Sequence, residues 1–298
     1  MAKKKDEQIT AEEKKQTISA NIVSCSDLQS ENEMLKSQND ALNSENCELR
    51  TLLEKSGNPE YLVVIPYKKS EAQGNELLLA ITGWLKHFKE RFKLVVIGDY
   101  EEFLGKMEEI IHIPHECSSD IAQLDIISKL MSVVSTYPEY EGLVLTNDDI
   151  YPVNDFDVTE VKLLKTDGLL TDEKLTGVYY SEIRKRTLDL LLKTDKKLFD
   201  YDCHTPVFFE TEKLMYLIDQ FGLVTEPYLL SSLYFNYFFP TRIPMKLDII
   251  RDNLKVGVYR KNADLQKLQV FIPLKIWVNN STEGWTFEFQ KIMEKIMS

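Results

Sequence analysis

The sequence lacks the features that define several common classes of protein. Its 4 cysteines are far apart and form no CxxC pair, so neither a disulfide framework nor a cysteine zinc site is predicted. No apolar run approaches the roughly 20 residues that span a bilayer. The opening residues, MAKKKDEQ, contain no apolar stretch of the kind found in a secretory signal. We therefore expect no membrane span and a cytoplasmic location.

Positive charge is also scarce. The chain has 36 Lys and Arg against 48 Asp and Glu, which gives a formal net charge of -12. Phosphate-dominated binding to nucleic acid needs clustered cations, so a nucleic-acid partner is not expected. The 298 residues are 43% hydrophobic, with 14 Tyr and 14 Phe, which is too apolar for a disordered chain. The composition predicts an acidic protein with one or two folded cores.

A leucine at every seventh position indicates a coiled coil in the first part of the chain. The d positions of the heptads hold leucine and three of the a positions hold asparagine: Leu28, Leu35, Leu42 and Leu49, with Asn32, Asn39 and Asn46. A buried Asn at an a position favours a parallel dimer in register, at a cost in stability. Glu31 and Glu45 also face Lys36 and Arg50 of a parallel partner. A lone amphipathic helix or an antiparallel pairing is the alternative.

The tripeptide Gly-Asn-Pro at 57–59 ends this helical pattern. The sequence therefore predicts three parts. Residues 1–20 form a disordered leader, residues 21–56 form a homodimeric parallel coiled coil, and residues 57–298 form the functional domain.

Beyond this boundary, short apolar runs alternate with longer amphipathic stretches. The runs YLVVI, LVVI, IIHI and LVLT begin at Tyr61, Leu94, Ile110 and Leu143. Apolar runs without polar alternation are typical of strands that are covered on both faces. The intervening helices imply right-handed crossovers. The predicted fold is α/β, a doubly wound and mostly parallel sheet with a helical C-terminal half. Helices are expected near 75–91, 101–108, 120–135, 181–193, 210–221, 227–238 and 283–297.

Two of these predicted strands end in aspartates. Asp99 follows LVVIG, and Asp148 and Asp149 follow LVLTN. Ligands of such sheets bind beyond the carboxyl ends of the strands, and adjacent carboxylates are suitable ligands for Mg²⁺ or Mn²⁺. The segment NDDIYP is also a good turn, so a plain loop is the alternative. No GxGxxG or GxxxxGK[ST] motif follows any of these strands, so neither a dinucleotide site nor a P-loop is supported.

The segment LVLTNDDIYP, which follows a first strand ending in IPY, resembles the nucleotide-sugar-binding half of a GT-A glycosyltransferase. In that fold a short acidic motif binds the metal ion and the diphosphate. The resemblance implies that Asp148 and Asp149 hold Mn²⁺ or Mg²⁺, with Asp149 as the direct ligand. It also implies that Asp99 contacts the nucleoside of a nucleotide-sugar donor, and that the acceptor is a glycan or another hydroxyl compound.

Three short segments are similar to the Stealth family of capsule sugar-phosphate transferases: NDDIYP at 147–152, YDCHTPVFF at 201–209 and KIWVNNS at 275–281. The opening strand lacks the tryptophan of that family's first motif, and Asn279-Asn280 stands where the family tends to have Asn-Asp. Taken alone, His204 reads as a structural residue. The resemblance implies instead that His204 completes the metal or phosphate site, and that Asp202 orients it or acts as a base.

Cations in the second half of the chain offer contacts to a diphosphate. Arg251 and Lys255 are spaced for one face of a helix, and Arg251 is predicted to bind the donor. The tract YLLSSLYFNYFFP, from Tyr228, predicts a buried helix, with an acceptor-binding wall as the alternative.

The sequence and the resemblance together predict a metal-dependent glycosyltransferase or sugar-phosphate transferase. The predicted catalytic residues are Asp149, Asp202 and His204. The donor is expected to bind Asp99, Asp148, Asp149 and Arg251, and the metal ion to bind Asp148, Asp149 and His204. The alternative is a non-catalytic scaffold that carries a GT-A-like binding module on a coiled-coil oligomer.

Overall fold

The strands and helices of the domain alternate in the order that the apolar runs predict. The computed structural model describes residues 36, 61–171, 178–192, 197–247, 254–261 and 265–298. The strands are β1 (Tyr61–Tyr67), β2 (Phe92–Gly98), β3 (Ile110–Pro114), β4 (Gly142–Leu145), β5 (Ile150–Pro152), β6 (Lys165–Thr166), β7 (Gly168–Leu169), β8 (Phe199–Asp200), β9 (Val207–Glu210), β10 (Met245–Lys246), β11 (Lys255–Val258) and β12 (Trp277–Asn280). The α-helices are α1 (Glu76–His87), α2 (Ala122–Thr136), α3 (Val158–Lys162), α4 (Val178–Leu191), α5 (Thr211–Phe221), α6 (Leu230–Phe238), α7 (Leu265–Phe271) and α8 (Phe287–Met297).

The central sheet has five strands in the order β3-β2-β1-β4-β9. Strands β1 to β4 run parallel to their neighbours, and β9 runs antiparallel to β4. The chain builds outward from β1 to β3 and then returns to place β4 on the other side of β1. Such a reversal of strand order opens a crevice at the carboxyl ends of the two strands where it occurs. The prediction of a mixed α/β fold with a mostly parallel sheet is confirmed.

Both faces of this sheet are covered, which explains why its strands show no polar alternation. On β1, Leu62 and Val64 belong to the apolar cluster that contains the buried side of α2. Val63 and Ile65 belong to a second cluster, together with the buried side of α1. All four side chains are at most 1% exposed. The sheet is therefore doubly wound, as predicted.

A smaller sheet, in the order β11-β12-β5, fixes the segment that follows β4. Strand β12 is parallel to β11 and antiparallel to β5. At one end of the connecting loop, the Thr146 N–H donates to the carbonyl of Val64 at 3.1 Å. At the other end, the Asn280 N–H donates to the carbonyl of Asp149 at 3.4 Å. The loop that carries Asp148 and Asp149 is thus held between two sheets.

Two expectations about helices are wrong. The stretch near 101–108 forms a single 3₁₀ turn, Leu104–Lys106. Phe103, Leu104 and Met107 contact the core from this stretch, but Gly105 at its centre disfavours an α-helix. Lys255 does not lie on a helix but begins β11, which pairs with β12 along its whole length.

Other predictions are confirmed or fall outside the described residues. Helix α6 is a buried helix, as its aromatic tract predicts. None of the helices in the described ranges has both the length and the apolar character needed to cross a membrane. The predicted leader, the coiled coil apart from Lys36, and Arg251 lie outside the described residues.

Candidate functional site

A cavity of about 400 Å³ lies at the carboxyl ends of β1 and β4, where the strand order reverses. Its wall includes Asn147, Asp148 and Asp149 from the loop after β4. The first turn of α1 and the N-terminal part of α2 supply other parts of the wall. Two helix N-termini and a strand-end loop therefore meet at one crevice.

Six carboxylates line this cavity, and three of them act on one another's ionisation: Glu76, Asp148 and Asp149. Burial raises the pKa of Asp148 from 3.8 to about 7, and the charge of Glu76 adds to the rise. Burial likewise raises the pKa of Asp149 to about 7, and the charges of Asp148 and Glu76 contribute to that rise. Both aspartate side chains keep some contact with solvent. Crowded carboxylates of this kind favour a bound proton or a bound cation.

One oxygen of Asp149 lacks a hydrogen-bond donor. Its Oδ1 atom is buried and accepts no hydrogen bond within the described part of the chain. A buried carboxylate oxygen without a partner costs free energy, and it is also the type of atom that a hard cation binds. No three His, Cys, Asp or Glu side chains of the described ranges lie close enough together to hold a metal ion. The two adjacent carboxylates are of the donor type that suits Mg²⁺, which commonly takes one or two carboxylates and completes its shell with water and phosphate oxygens.

The cations nearest this cavity already have acidic partners. Lys129 on α2 is 2% exposed, its Nζ donates to the carbonyl of Tyr67 at 2.9 Å, and it pairs with Asp125 at 2.7 Å. Burial opposes ionisation of Asp125, but its bonds to Lys129 and to the Ser118 N–H hold its pKa below the ordinary value. Lys68 pairs with Glu71 at 3.5 Å. The negative charge of the three carboxylates is therefore not balanced by these lysines.

A second cavity, of about 200 Å³, contains Asp202 and His204 and shares Asn147 with the first. His204 has φ of +48°, a left-handed conformation that is uncommon for a residue other than glycine. Although the side chain is exposed, the protein around it lowers the pKa of His204 to about 4 by desolvation, and Lys255 adds to this effect. The imidazole is therefore neutral at physiological pH. His204 is not brought together with Asp148 and Asp149, so the predicted three-residue metal set is not assembled.

Asp202 is fixed at the beginning of α6. Its Oδ2 accepts hydrogen bonds from the Ser232 hydroxyl at 2.5 Å and from the Ser232 N–H at 3.3 Å. Burial raises the pKa of Asp202 to about 7, although the bonds from Ser232 oppose the rise. The carboxylate thus has a defined orientation and a proton affinity suited to acid–base chemistry near neutral pH.

Asp99 lies at the end of β2, outside the wall of the larger cavity. The side chain is exposed, and its Oδ2 accepts a hydrogen bond from the Lys69 N–H at 2.8 Å. Tyr67 lies at the end of β1, between Asp99 and Asp148. Its pKa is raised by burial and by the nearby charges of Glu101, Asp148 and Asp99. Asp99 therefore borders the neighbouring part of the same sheet edge.

Comparison with known proteins gives only structural similarities. No protein-family model matches the chain, and no curated protein matches it. The chain is similar in structure to glycosyltransferases. WbbM, a bifunctional glycosyltransferase in its apo form, aligns over 81% of this chain and 50% of its own, at 13% identity and a TM-score of 0.44. GlyE, a glycosyltransferase of Streptococcus pneumoniae TIGR4, aligns over 80% of this chain and 60% of its own, at 11% identity and a TM-score of 0.41.

The apo form of GlyE has the same coverage and identity, with a TM-score of 0.36. The chain thus spans between half and three fifths of the length of these structures. At these identities the similarity concerns the fold alone and assigns no role to any residue. The resemblance to the Stealth family stays a prediction.

Glu76 lines the larger cavity, but the sequence pattern does not predict it as a site residue. It is 4% exposed and lies in the first turn of α1. An acidic residue in that position is a common stabilising feature of exposed helices, so the pattern alone does not distinguish it. Its partner Asn280 lies in the KIWVNNS segment, which the resemblance had selected without assigning a role to this side chain.

Proposed function

We propose that this protein is a metal-dependent transferase that takes a sugar or a sugar phosphate from a nucleotide-activated donor and transfers it to a hydroxyl acceptor. The observation that carries this proposal is the buried, unpartnered Oδ1 of Asp149. It lies with the carboxylates of Asp148 and Glu76 at the crevice where the strand order reverses. An ionised carboxylate oxygen without a partner costs stability, and a bound cation would remove this cost.

The larger cavity is the proposed donor site. Asp148 and Asp149 would hold Mg²⁺ or Mn²⁺, which would supply positive charge beside the diphosphate of the donor. The N-terminal ends of α1 and α2 border the same cavity, where their backbone N–H groups favour phosphate oxygens. Asp99, at the neighbouring strand end, is proposed to contact the nucleoside. Arg251 remains a proposed diphosphate contact.

The smaller cavity is the proposed acceptor site. Asp202 borders it with a raised pKa, which suits a base that takes the proton from an attacking hydroxyl. The neutral His204 is proposed to bind the acceptor or a phosphate oxygen as a hydrogen-bonding group, and not to ligate the metal ion. Asn147 contributes to both cavities, so donor and acceptor would meet beside this residue.

Isothermal calorimetry with a panel of UDP-, GDP- and CMP-sugars, with and without Mn²⁺ or Mg²⁺, tests the proposal. We expect one donor to bind only with the metal ion present, and Asp149→Asn to abolish this binding while retaining the folded state. Asp155→Asn is the matched control, because Asp155 is an exposed aspartate that pairs with Lys89 at 2.8 Å. Absence of metal-dependent binding across the panel contradicts the proposal. Binding without transfer or hydrolysis favours the scaffold alternative.

A further inference from the structure

A buried chain of hydrogen bonds connects the first turn of α1 to the loop of the proposed metal site. The Asn280 Nδ2 donates to Glu76 Oε1 at 2.7 Å, and the Tyr151 hydroxyl donates to Asn280 Oδ1 at 2.6 Å. The other carboxylate oxygen of Glu76 accepts from the Gln73 N–H at 2.7 Å. Glu76, Asn280 and Tyr151 are 4%, 2% and 0% exposed. The orientation of the Glu76 carboxylate is therefore fixed on both of its oxygens.

The same asparagine also fixes the metal-site loop. Its backbone N–H donates to the carbonyl of Asp149, and its side chain binds Tyr151, which lies two residues further along the chain. Asn280 consequently contacts both the end of the loop and β5, and its side-chain amide also holds Glu76. One residue therefore connects Glu76 to the loop of Asp148 and Asp149.

Glu76, Asp148 and Asp149 line the same cavity, and Asn280 hydrogen-bonds to both the Glu76 carboxylate and the Asp149 carbonyl. Carboxylates held together in one cavity repel one another when they are ionised. Such repulsion is unfavourable without a cation, and it becomes an attraction for any cation that enters. Both oxygens of Glu76 already accept protein hydrogen bonds, so it is suited to act on the ion through its charge and not as a ligand. Groups that orient or support the ligands of a metal ion typically contribute about 10–100-fold to its affinity.

We propose that Glu76 and Asn280 are positioning residues for the divalent cation. Asn280 holds the Glu76 carboxylate beside Asp148 and Asp149, and the charge of Glu76 strengthens cation binding there without coordinating the ion. This inference rests on the proposed function, because it requires that the crevice binds a divalent cation.

Mn²⁺ binding to the full-length protein, measured by calorimetry and by electron paramagnetic resonance of free Mn²⁺, tests the inference without any substrate. We expect Glu76→Gln to weaken Mn²⁺ binding by about 10–100-fold. Glu71→Gln is the matched control, because Glu71 borders the same cavity but its side chain is 75% exposed and pairs with Lys68. We expect Glu71→Gln to change the affinity by less than about threefold, as for a solvent-screened charge.

A double variant separates the charge of Glu76 from its packing. Asn280→Asp alone faces Glu76 with a second carboxylate and removes the amide donor. In Glu76→Gln combined with Asn280→Asp, the amide at 76 can donate to the carboxylate at 280, and the Tyr151 hydroxyl keeps its acceptor. The exchange restores the number of negative charges but loses the weaker bond from Asn280 Nδ2 to the Ser281 carbonyl at 3.1 Å. We expect the double variant to bind Mn²⁺ more tightly than Glu76→Gln, at least about tenfold.

The outcomes distinguish this inference from the proposed function. No Mn²⁺ binding by the unaltered protein overturns both. Tight binding by the unaltered protein with equal affinity in Glu76→Gln overturns the positioning role alone. A double variant that binds no better than folded Glu76→Gln shows that charge is not the cause, and it also overturns the inference. If Glu76→Gln does not fold, the affinity of the double variant for Mn²⁺ is compared with that of the unaltered protein. A loss of affinity of more than about 100-fold then contradicts the inference.

Discussion

Replacement of Asp148 by asparagine should stabilise the protein in the absence of metal ions. Asp148 lies in the crevice beside Asp149 and Glu76, and its pKa is raised from 3.8 to about 7 by burial and by the charge of Glu76. Its ionised form is therefore less favourable in the folded protein than in the unfolded chain. Asparagine has nearly the same shape and carries no charge, so the variant removes this cost.

The size of the effect follows from the pKa. A rise from 3.8 to about 7 corresponds to about 4 kcal/mol if the whole effect reached the free energy of unfolding. Solvent reaches part of the side chain, and the neighbouring aspartate can bind a proton in its place. We therefore expect a gain of about 1–2 kcal/mol at neutral pH, after discounting for screening.

The pH dependence gives the sign of the effect. For a carboxyl group whose pKa is raised on folding, the cost is absent below the pKa of the unfolded chain and complete above that of the folded protein. The stability of the unaltered protein should consequently fall between about pH 4 and pH 7. The advantage of Asp148→Asn should be small at about pH 4 and largest at about pH 8.

Urea denaturation in the presence of EDTA at these pH values measures the difference in the free energy of unfolding between the two proteins. The same measurement is then made with Mn²⁺ in place of EDTA. The metal ion should stabilise the unaltered protein and have little effect on Asp148→Asn. Asp155→Asn is a control of opposite sign, because Lys89 and His87 lower the pKa of Asp155, so its charge stabilises the fold. The reasoning is refuted if Asp148→Asn is less stable than the unaltered protein at the highest pH, or if its advantage does not change with pH.

Two further substitutions test the supports of the site. Ser232→Ala removes the hydroxyl that donates to Asp202 at 2.5 Å and accepts from the Tyr201 N–H at 2.9 Å. It should cost about 1–3 kcal/mol in urea denaturation. It should also raise the pKa of Asp202, which would move the acidic limb of the transfer rate profile to higher pH; an unchanged limb counts against Asp202 as the base. Gly98→Ala should cost about 3 kcal/mol or more by thermal denaturation, because φ is +130° and the added Cβ would lie 2.0 Å from the Tyr67 carbonyl oxygen; near-normal stability would contradict this.

Much of the central sheet was predictable from sequence because its strands are buried on both faces. Runs such as those at β1 and β2 have no polar residue to alternate with, and this pattern is specific for a covered parallel sheet. Aspartates directly after two such strands then had to lie at one edge of the sheet. The position of Asp148 and Asp149 at the crevice follows from local sequence and from a general rule of topology.

The contacts across the chain were not predictable in the same way. Glu76 and Asn280 are separated by 204 positions, and nothing in either segment indicates that they meet. Lys255 appeared to belong to a helical face because spacing of four is also common by chance, whereas its pairing with β12 is a long-range property. His204 was placed with the aspartates by resemblance, but the two cavities meet at Asn147 and not at the imidazole.

The net charge of the chain and the charge of the crevice both disfavour the binding of an anionic donor without a cation. A nucleotide-sugar donor is an anion, and the protein has a net charge of -12. The buried lysine beside the cavity, Lys129, already pairs with Asp125, and its charge offsets that of Asp148 only in part. We therefore expect a diphosphate to bind in this crevice together with a cation. We expect the repulsion among Glu76, Asp148 and Asp149 to lower the stability of the metal-free protein, and for the same reason to increase its affinity for that cation.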